Sequence, residues 1–266
     1  MLFYANWNNK SENILEIKHL LNIGEDSIVF IDDNKAELEE VKNNLPLVTT
    51  IGYQKNPFEM IMNIDRIGYF NKLNITSEDL NRNKFYKKNN KRKLNIKSFN
   101  NYNDYLKNLK MTANIHKLRK ENIKRATQLI NKTNQFNLIN EKISYQQLKN
   151  ISNSKNHIIL QSDLTDKFGE NGIVSILYGK IYKNDFVILN WVMSCRVFKR
   201  ELEFAIFDEL EKICVSKRIG KIISTLIKNE KNGYIYDLFN NLNFSVKENK
   251  RQMFKYEKII KKNSKK

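Results

Sequence analysis

Two adjacent carboxylates, Asp32 and Asp33, close the apolar run Ser27-Ile28-Val29-Phe30-Ile31 and lead into a helix-forming stretch after Asn34. Hard oxygen ligands at the C-terminal tip of a buried strand suit Mg²⁺ and a phosphorylated substrate. The competing reading is an ordinary strand-to-helix turn with Asp33 as its cap. A second reactive group is Cys195 with Arg196 beside it. A thiol can act as a nucleophile, and a guanidinium can hold a phosphate. No His lies near Cys195 in sequence. His116 and His157 stand singly in or beside apolar strand text, where packing roles are the expectation. Thr133, Asn134, Gln135 and Asn137 follow a helical stretch and offer hydroxyl and amide groups. They could line a pocket, or cap and close a turn.

The elements that must position these groups alternate at first. A helix over Glu12 to Leu21, capped by Ser11, turns Ile14, Ile17, Leu20 and Leu21 to one face, and Gly24 ends it. A strand at Ser27 to Ile31, a helix at Lys35 to Asn43 and a strand at Val48 to Ile51 complete an α/β pattern. Two strands do not close a stable open sheet, so this unit is expected to be truncated or completed by a separate chain. From Thr76 to about Leu109 the text is helical and polar, with Thr76 and Asp79 as a capping box and Ser98 as a second cap. Its basic run from Lys84 to Lys97 reads as an exposed linker helix.

A second domain begins with strand-like Met111 to His116 and an amphipathic helix carrying Ile123, Ala126, Leu129 and Ile130. Its centre is a hairpin, Ile173 to Tyr182 and Phe186 to Cys195, turning at Lys183-Asn184-Asp185. A helix from Glu201 to Lys217, a strand from Lys221 to Ile227, a helix from Asn232 to Asn241 and a strand from Gln252 to Tyr256 follow. The boundaries expected are 1–75 for the first α/β unit, 76–110 for a basic helical linker, 111–257 for the second domain and 258–266 for a loose basic tail.

Composition limits the partners. The 266 residues carry a formal net charge of +18 at pH 7, which favours an anionic partner. Lys, spread with abundant Asn over solvated surface, accounts for most of that charge. Arg-rich, aromatic-interleaved recognition stretches are absent, so nucleic acid is not the expected partner. No run has the apolar length of a membrane span, and Asn6, Trp7, Asn8 and Asn9 lack the layout of a signal peptide. A soluble cytoplasmic protein is expected. Cys195 and Cys214, without a His/Cys cluster, indicate neither a disulfide framework nor a zinc site.

The order helix, central hairpin, helix, strand, helix, strand resembles the Gcn5-related acyltransferase plan. Such a fold needs a loop after the hairpin whose amides hold a pyrophosphate at the next helix N-terminus. That loop would be Arg196-Val197-Phe198-Lys199-Arg200. Specific segments extend the resemblance over nearly the whole chain. They are Asn6-Trp7 with Lys10-Ser11-Glu12-Asn13-Ile14, Phe30-Ile31-Asp32-Asp33-Asn34 with Glu37, and Lys132-Thr133-Asn134-Gln135-Phe136-Asn137-Leu138. Asp166-Lys167-Phe168-Gly169-Glu170-Asn171-Gly172 and Met193-Ser194-Cys195-Arg196-Val197 follow in the same order. Together they resemble the C-terminal portion of an FkbH-like protein, of haloacid dehalogenase (HAD) superfamily subfamily IIIC joined to an acyltransferase-like domain. The implied fold class is α/β, a partial HAD-like α/β unit followed by a Gcn5-related N-acyltransferase-like α+β domain.

The resemblance implies roles for particular residues. Lys10 matches the HAD lysine that neutralises crowded negative charge, and Asp32 and Asp33 match the late acidic motif that helps hold Mg²⁺. The nucleophile motif Asp-x-Asp-x-Thr has no counterpart, so no HAD-type phosphatase activity is expected of this chain alone. The family resembles enzymes that load a glyceryl unit from a phosphorylated three-carbon donor onto the phosphopantetheine thiol of an acyl carrier protein. An acidic carrier of that kind suits a basic chain. An acyl-thioester or phosphopantetheine is thus the implied ligand, with Thr133, Asn134, Gln135, Asn137, Arg196, Lys199 and Arg200 as its candidate contacts and Cys195 as a candidate nucleophile. The family's loop pattern is roughly Arg-Val-x-Gly-Arg-Gly-x-Glu, whereas this chain has Lys199 and Glu201 in place of both glycines. Lys199 could compensate with charge, but Glu201 repels phosphate. Where acyltransferases of this fold often place a general-acid tyrosine, Asn232, Leu238, Phe239 and Phe244 fit the spacing, yet Phe239 has no proton to donate. Core packing of Phe239 and Phe244 is the simpler expectation, with Tyr236 one helical turn earlier. An acyltransferase-like domain, a non-catalytic carrier-binding or docking module, and a gene fragment all remain open on the sequence.

Overall fold

The computed structural model describes residues 2–21, 23–52, 56–71, 77–96 and 98–260. The chain divides into two compact units, Met1–Tyr86 and Lys87–Lys266. The Thr76 cap and the end of the tail, 261–266, lie outside the described residues, as does Lys97 of the basic run.

In the first unit, helix α1 (Lys10–Leu21) precedes strand β1 (Val29–Asp32), helix α2 (Lys35–Asn44), strand β2 (Thr49–Gly52) and helix α3 (Pro57–Ile67). β1 and β2 pair in parallel, Val29 opposite Thr49 through Asp32 opposite Gly52, with α2 as the crossover. Ile14, Val41, Leu45 and Val48 are buried together. Two sequence readings change here. Ser11 lies inside α1 and is buried, with its amide donating to Glu40 Oε2 at 3.1 Å and its hydroxyl to Glu40 Oε1. It ties α1 to α2 instead of capping. The cap of α2 is Asn34, whose side chain accepts from the Ala36 amide at 2.9 Å, and not Asp33.

Helix α4 (Ser77–Ile96) spans the boundary between the units, and helix α5 (Tyr102–Asn108) follows. The cap of α5 is Asn101, which accepts from the Asn103 amide; the Ser98 hydroxyl donates instead to the Asn95 carbonyl. Tyr105, Leu106 and Leu109 form a small buried cluster joined by Phe99, Met111 and Phe168. The basic run is not wholly solvated, because Arg92 is only 3 % exposed.

The second unit is built on strands β3 (Thr112–Lys117), β4 (His157–Asp166), β5 (Gly169–Tyr182), β6 (Asp185–Met193), β7 (Lys221–Ile227), β8 (Ser245–Lys250) and β9 (Met253–Ile259). Helices α6 (Ile123–Lys132) and α7 (Tyr145–Asn153) connect β3 to β4, helix α8 (Leu202–Ser216) connects β6 to β7, and helix α9 (Gly233–Asn241) precedes β8. The sheet order is β3-β4-β5-β6-β7-β9-β8. Every neighbouring pair is antiparallel except β6 and β7, which α8 joins as a parallel crossover. Both faces are covered. Ile123, Ala126, Leu129 and Ile130 of α6 pack with Ile176, Tyr178 and Val192 on one side. Trp191, Ile206, Phe207, Leu210, Leu238 and Phe239 belong to the larger cluster. Strands β4 and β8 and helices α3 and α7 are additional to the expected elements. β8 is short and mostly polar, with an exposed burial pattern, so it carries little periodic signal.

Candidate functional site

The parallel pairing of β6 with β7 covers only Asp185 to Ile188 against Lys221 to Ser224. Beyond it the strands separate. The cause lies in β6, where Tyr178 faces Asn190 and Gly179 faces Ile188, so Leu189 is an extra residue, a β-bulge that bends the strand away from β7. Gly179 is required at this point, since a Cβ there would stand 2.4 Å from the Val187 carbonyl oxygen and the Phe186 ring.

The opened part holds a segment of the chain itself. Asn137 bridges Val192 antiparallel. The Met193 amide donates to the Phe136 carbonyl at 3.1 Å, and the Ile227 amide of β7 donates to the Leu138 carbonyl at 2.8 Å. Asn190 on the bulge accepts from the amides of Leu138 and Trp191 at 3.2 and 2.8 Å. Asn232, completely buried, donates to the carbonyls of Asn137 and Ile227 at 3.2 and 2.8 Å. Within the segment, Asn137 donates to the Thr133 carbonyl at 2.9 Å and accepts from the Asn140 amide. Phe136 and Leu138 are fully buried, and the Phe136 ring meets Trp191 edge-on at 5.3 Å.

After β6 the chain makes a short 3₁₀ turn, Cys195–Val197, and enters α8 through Phe198 to Glu201. Lys199 and Glu201 both adopt left-handed backbone, φ 60° and 61°. These are the two positions at which the family pattern has glycine. Tyr102 donates to the Lys199 carbonyl at 2.5 Å. Arg200 turns inward to Asp166 at 3.0 Å. Arg92 reaches the same carboxylate with two bonds, 2.7 and 2.8 Å. Burial pushes the Asp166 carboxyl up, but the Arg92 hydrogen bond and charge, the Phe168 amide and Arg200 together hold it below its usual range. The family-like stretch from Asp166 to Gly172 is therefore a hairpin turn whose carboxylate anchors two arginines.

Glu203, in the first turn of α8, is 1 % exposed. Its Oε1 accepts from the Tyr234 hydroxyl, and its Oε2 is buried without a hydrogen-bond partner. Tyr234 stacks on Phe198 at 6.0 Å and lies 6.2 Å from Phe136. Burial, followed by the bond to Glu203, raises the Tyr234 phenol well above its ordinary range.

The structure brings Thr133 to Asn137 and Cys195 to Arg200 to the same end of the split, in different states. The Thr133 hydroxyl closes α6 on the Leu129 carbonyl at 2.7 Å, and Asn137 is buried, while Asn134 is exposed and Gln135 half-buried. Cys195 and Lys199 are exposed; Arg196 is half-buried with its Nε donating to Ser194 Oγ. His116 and His157 engage the Lys117 carbonyl and the Ser154 hydroxyl, not Cys195. Phe239 is buried, stacked on Tyr256 at 4.5 Å, and Tyr236 packs edge-on against Phe254. A depression of ≈ 270 Å³ lined by Lys221, Lys247 and Glu257 lies at the opposite end of β7 from the split.

The residues present do not fit a coenzyme A or pantetheine arm lying in the split. The Met193 and Ile227 amides are already bonded to the chain's own carbonyls, Phe136 and Leu138 are fully buried there, and an acid, Glu201, stands at the N-cap of α8. A Mg²⁺ ion fares no better in the first unit. Lys10 Nζ stands 3.6 Å from Asp32 Oδ2, whose partner oxygen accepts from the Asn34 amide at 2.9 Å, and Asp33 is exposed. No group of three or more His, Cys, Asp or Glu side chains that could hold a metal occurs among the described residues.

Sequence reasoning passed over Glu203, Tyr234, Asn190 and the Arg92–Asp166–Arg200 cluster. A signal for Glu203 was present, because it falls on the stripe Glu203, Ile206, Phe207, Leu210 that faces the core. Asn190 and Arg92 had no local signal.

Solved structures that align with the chain include three acetyltransferases. The ribosomal-protein-S18-alanine N-acetyltransferase of Escherichia coli has 11% identity and a TM-score of 0.44, covering 56% of this chain and 94% of its own. A GNAT-family acetyltransferase of Staphylococcus aureus Mu50 has 14% identity and a TM-score of 0.45, covering 56% and 100%. The PaiA N-acetyltransferase of Thermoplasma acidophilum, solved with coenzyme A, has 14% identity and a TM-score of 0.42, covering 56% and 99%. No family model and no curated protein matches the chain. No helix among the described residues is long and apolar enough to cross a membrane.

Proposed function

We propose that this chain is an FkbH-like protein that serves the transfer of a glyceryl or acyl unit to the phosphopantetheine thiol of an acyl carrier protein. Its second unit is the acyltransferase-like part that engages the carrier, and its first unit is the C-terminal part of a HAD-like domain. The observation that carries this reading is the loop into α8. Lys199 and Glu201 keep left-handed backbone at the two positions of the family's glycines, a conformation unfavourable for residues with a Cβ. A backbone that outlasts the residues suited to it points to descent from a phosphate-binding loop. The net charge of +18 favours an acidic partner such as a carrier protein.

The filled split favours carrier binding over stand-alone chemistry. The pure chain, mixed with holo carrier protein and a phosphorylated three-carbon donor, forms a salt-sensitive complex, and intact mass analysis shows the carrier unmodified. Adding a polypeptide that bears the Asp-x-Asp-x-Thr segment raises the carrier mass by the acyl unit. A mass gain with the chain alone would establish instead that it is a complete acyltransferase.

A further inference from the structure

In the second unit, α8 joins two parallel strands that stay together for four residue pairs and then part. An open split of this kind would expose amides on both strands. The Met193 amide of β6 and the Ile227 amide of β7 are instead satisfied by one short segment, through the carbonyls of Phe136 and Leu138. The segment is held along its length. Asn190 takes its Leu138 amide, Asn232 takes its Asn137 carbonyl, and Phe136 and Leu138 bury their side chains completely. Both asparagines are fully buried, so each bond it makes is shielded from water and expensive to leave unmade. Phe136 also closes an aromatic group with Trp191, Phe198 and Tyr234, with ring centroids at 5.3, 6.1 and 6.2 Å.

We infer that residues 136–138 are a built-in seal: they occupy the β6–β7 split, bridged to β6 through Asn137, and exclude an extended amide-bearing ligand from it in the native state. Entry requires the segment to detach. The asparagines are the hinge of this arrangement, since each binds both the segment and one of the two strands it separates: Asn190 sits on β6, and Asn232 also holds the Ile227 carbonyl of β7. This conclusion stands on the hydrogen bonds themselves. It rests on the proposed acyltransferase lineage only for the choice of coenzyme A as probe.

The test is amide hydrogen exchange of the full chain by NMR, with and without coenzyme A at about 1 mM, a concentration that reports binding down to weak affinity. In the unaltered protein, Met193 and Ile227 are expected to exchange with the protection of the sheet interior, unchanged by coenzyme A. In Asn232→Ala, or in Phe136→Ala, their protection falls at least about tenfold and coenzyme A binding appears. Where a variant does not fold, as read from Trp191 fluorescence, the unaltered protein still decides. Three results overturn the inference: unprotected Met193 and Ile227 amides in the unaltered chain, coenzyme A binding there while both remain protected, or a folded variant with both amides released that still binds no coenzyme A. Failure to bind a carrier protein, with the two amides behaving as expected, would remove the proposed function and leave the seal intact.

Discussion

The two units illustrate different degrees of self-sufficiency. The first has, among its described residues, a two-stranded parallel sheet and a core of Ile14, Val41, Leu45 and Val48. It leaves Trp7, Leu47, Phe58, Ile61 and Met62 more than half exposed. The second has seven strands covered on both faces and even fills its own strand split. Both contain candidate site residues named from the sequence, and the structure places them differently. In the first, Asp32 pairs with Lys10 and Asp33 is exposed, with no third metal-ligating side chain grouped with them among the described residues. In the second, the cleft is present and occupied.

The strongest way to break this contrast is to attack the anchor of the second unit. Asp166→Ala leaves Arg92 and Arg200 buried without a counter-ion and is expected to lower unfolding stability by about 3–5 kcal/mol. Urea unfolding followed through the buried Trp191 measures it. A loss below about 1 kcal/mol would mean that the cluster is dispensable.

The same carboxylate gives a pH signature. Its folded-state pKa is depressed below the ordinary 3.8, so its contribution is fully present above the unfolded pKa. It is lost as pH falls through the lower folded value, in a window below about pH 4. Asp166→Asn is expected to abolish that part of the acid dependence. An unchanged acid profile in the variant would assign the dependence to other groups.

Amide exchange compares the units directly. β1 amides from Val29 to Asp32 are expected to exchange at least about tenfold faster than β5 amides from Ile173 to Tyr178, a difference of about 1.4 kcal/mol in opening free energy. Equal protection would show the first unit to be as well consolidated as the second.

The smallest effect concerns the loop. Lys199→Gly and Glu201→Gly relieve left-handed strain, offset in part by the added freedom of the unfolded chain, and each is expected to stabilise by about 0.5–1 kcal/mol. Thermal unfolding reads this. Destabilisation by both would mean that the side chains hold the loop.

Local signals in the sequence located most of the elements. β1, α2 and β2 followed from an apolar run, a cap and a crossover, and the β5–β6 hairpin from two apolar segments around Lys183-Asn184-Asp185. The polar strand β8 and the Ser11 bond to Glu40 were not legible, because partners distant in sequence decide them. The sequence offered candidate residues but not their arrangement. Thr133 to Asn137 read equally as pocket lining or turn; the structure closes α6 at Thr133 and bridges Asn137 to β6, with Asn232, 95 positions away, holding the Asn137 carbonyl. Arg200 read as a phosphate ligand because sequence cannot reveal that Asp166 and Arg92 meet it inside the fold.

The proposed function requires the chain to engage an acidic acyl carrier protein with its split still sealed. Titration of holo carrier protein into the full chain at low and high salt, followed by NMR, tests it most directly. Binding is expected at low ionic strength and weakens steadily as salt screens the basic surface, with Met193 and Ile227 remaining protected. Absence of binding at low salt would contradict it.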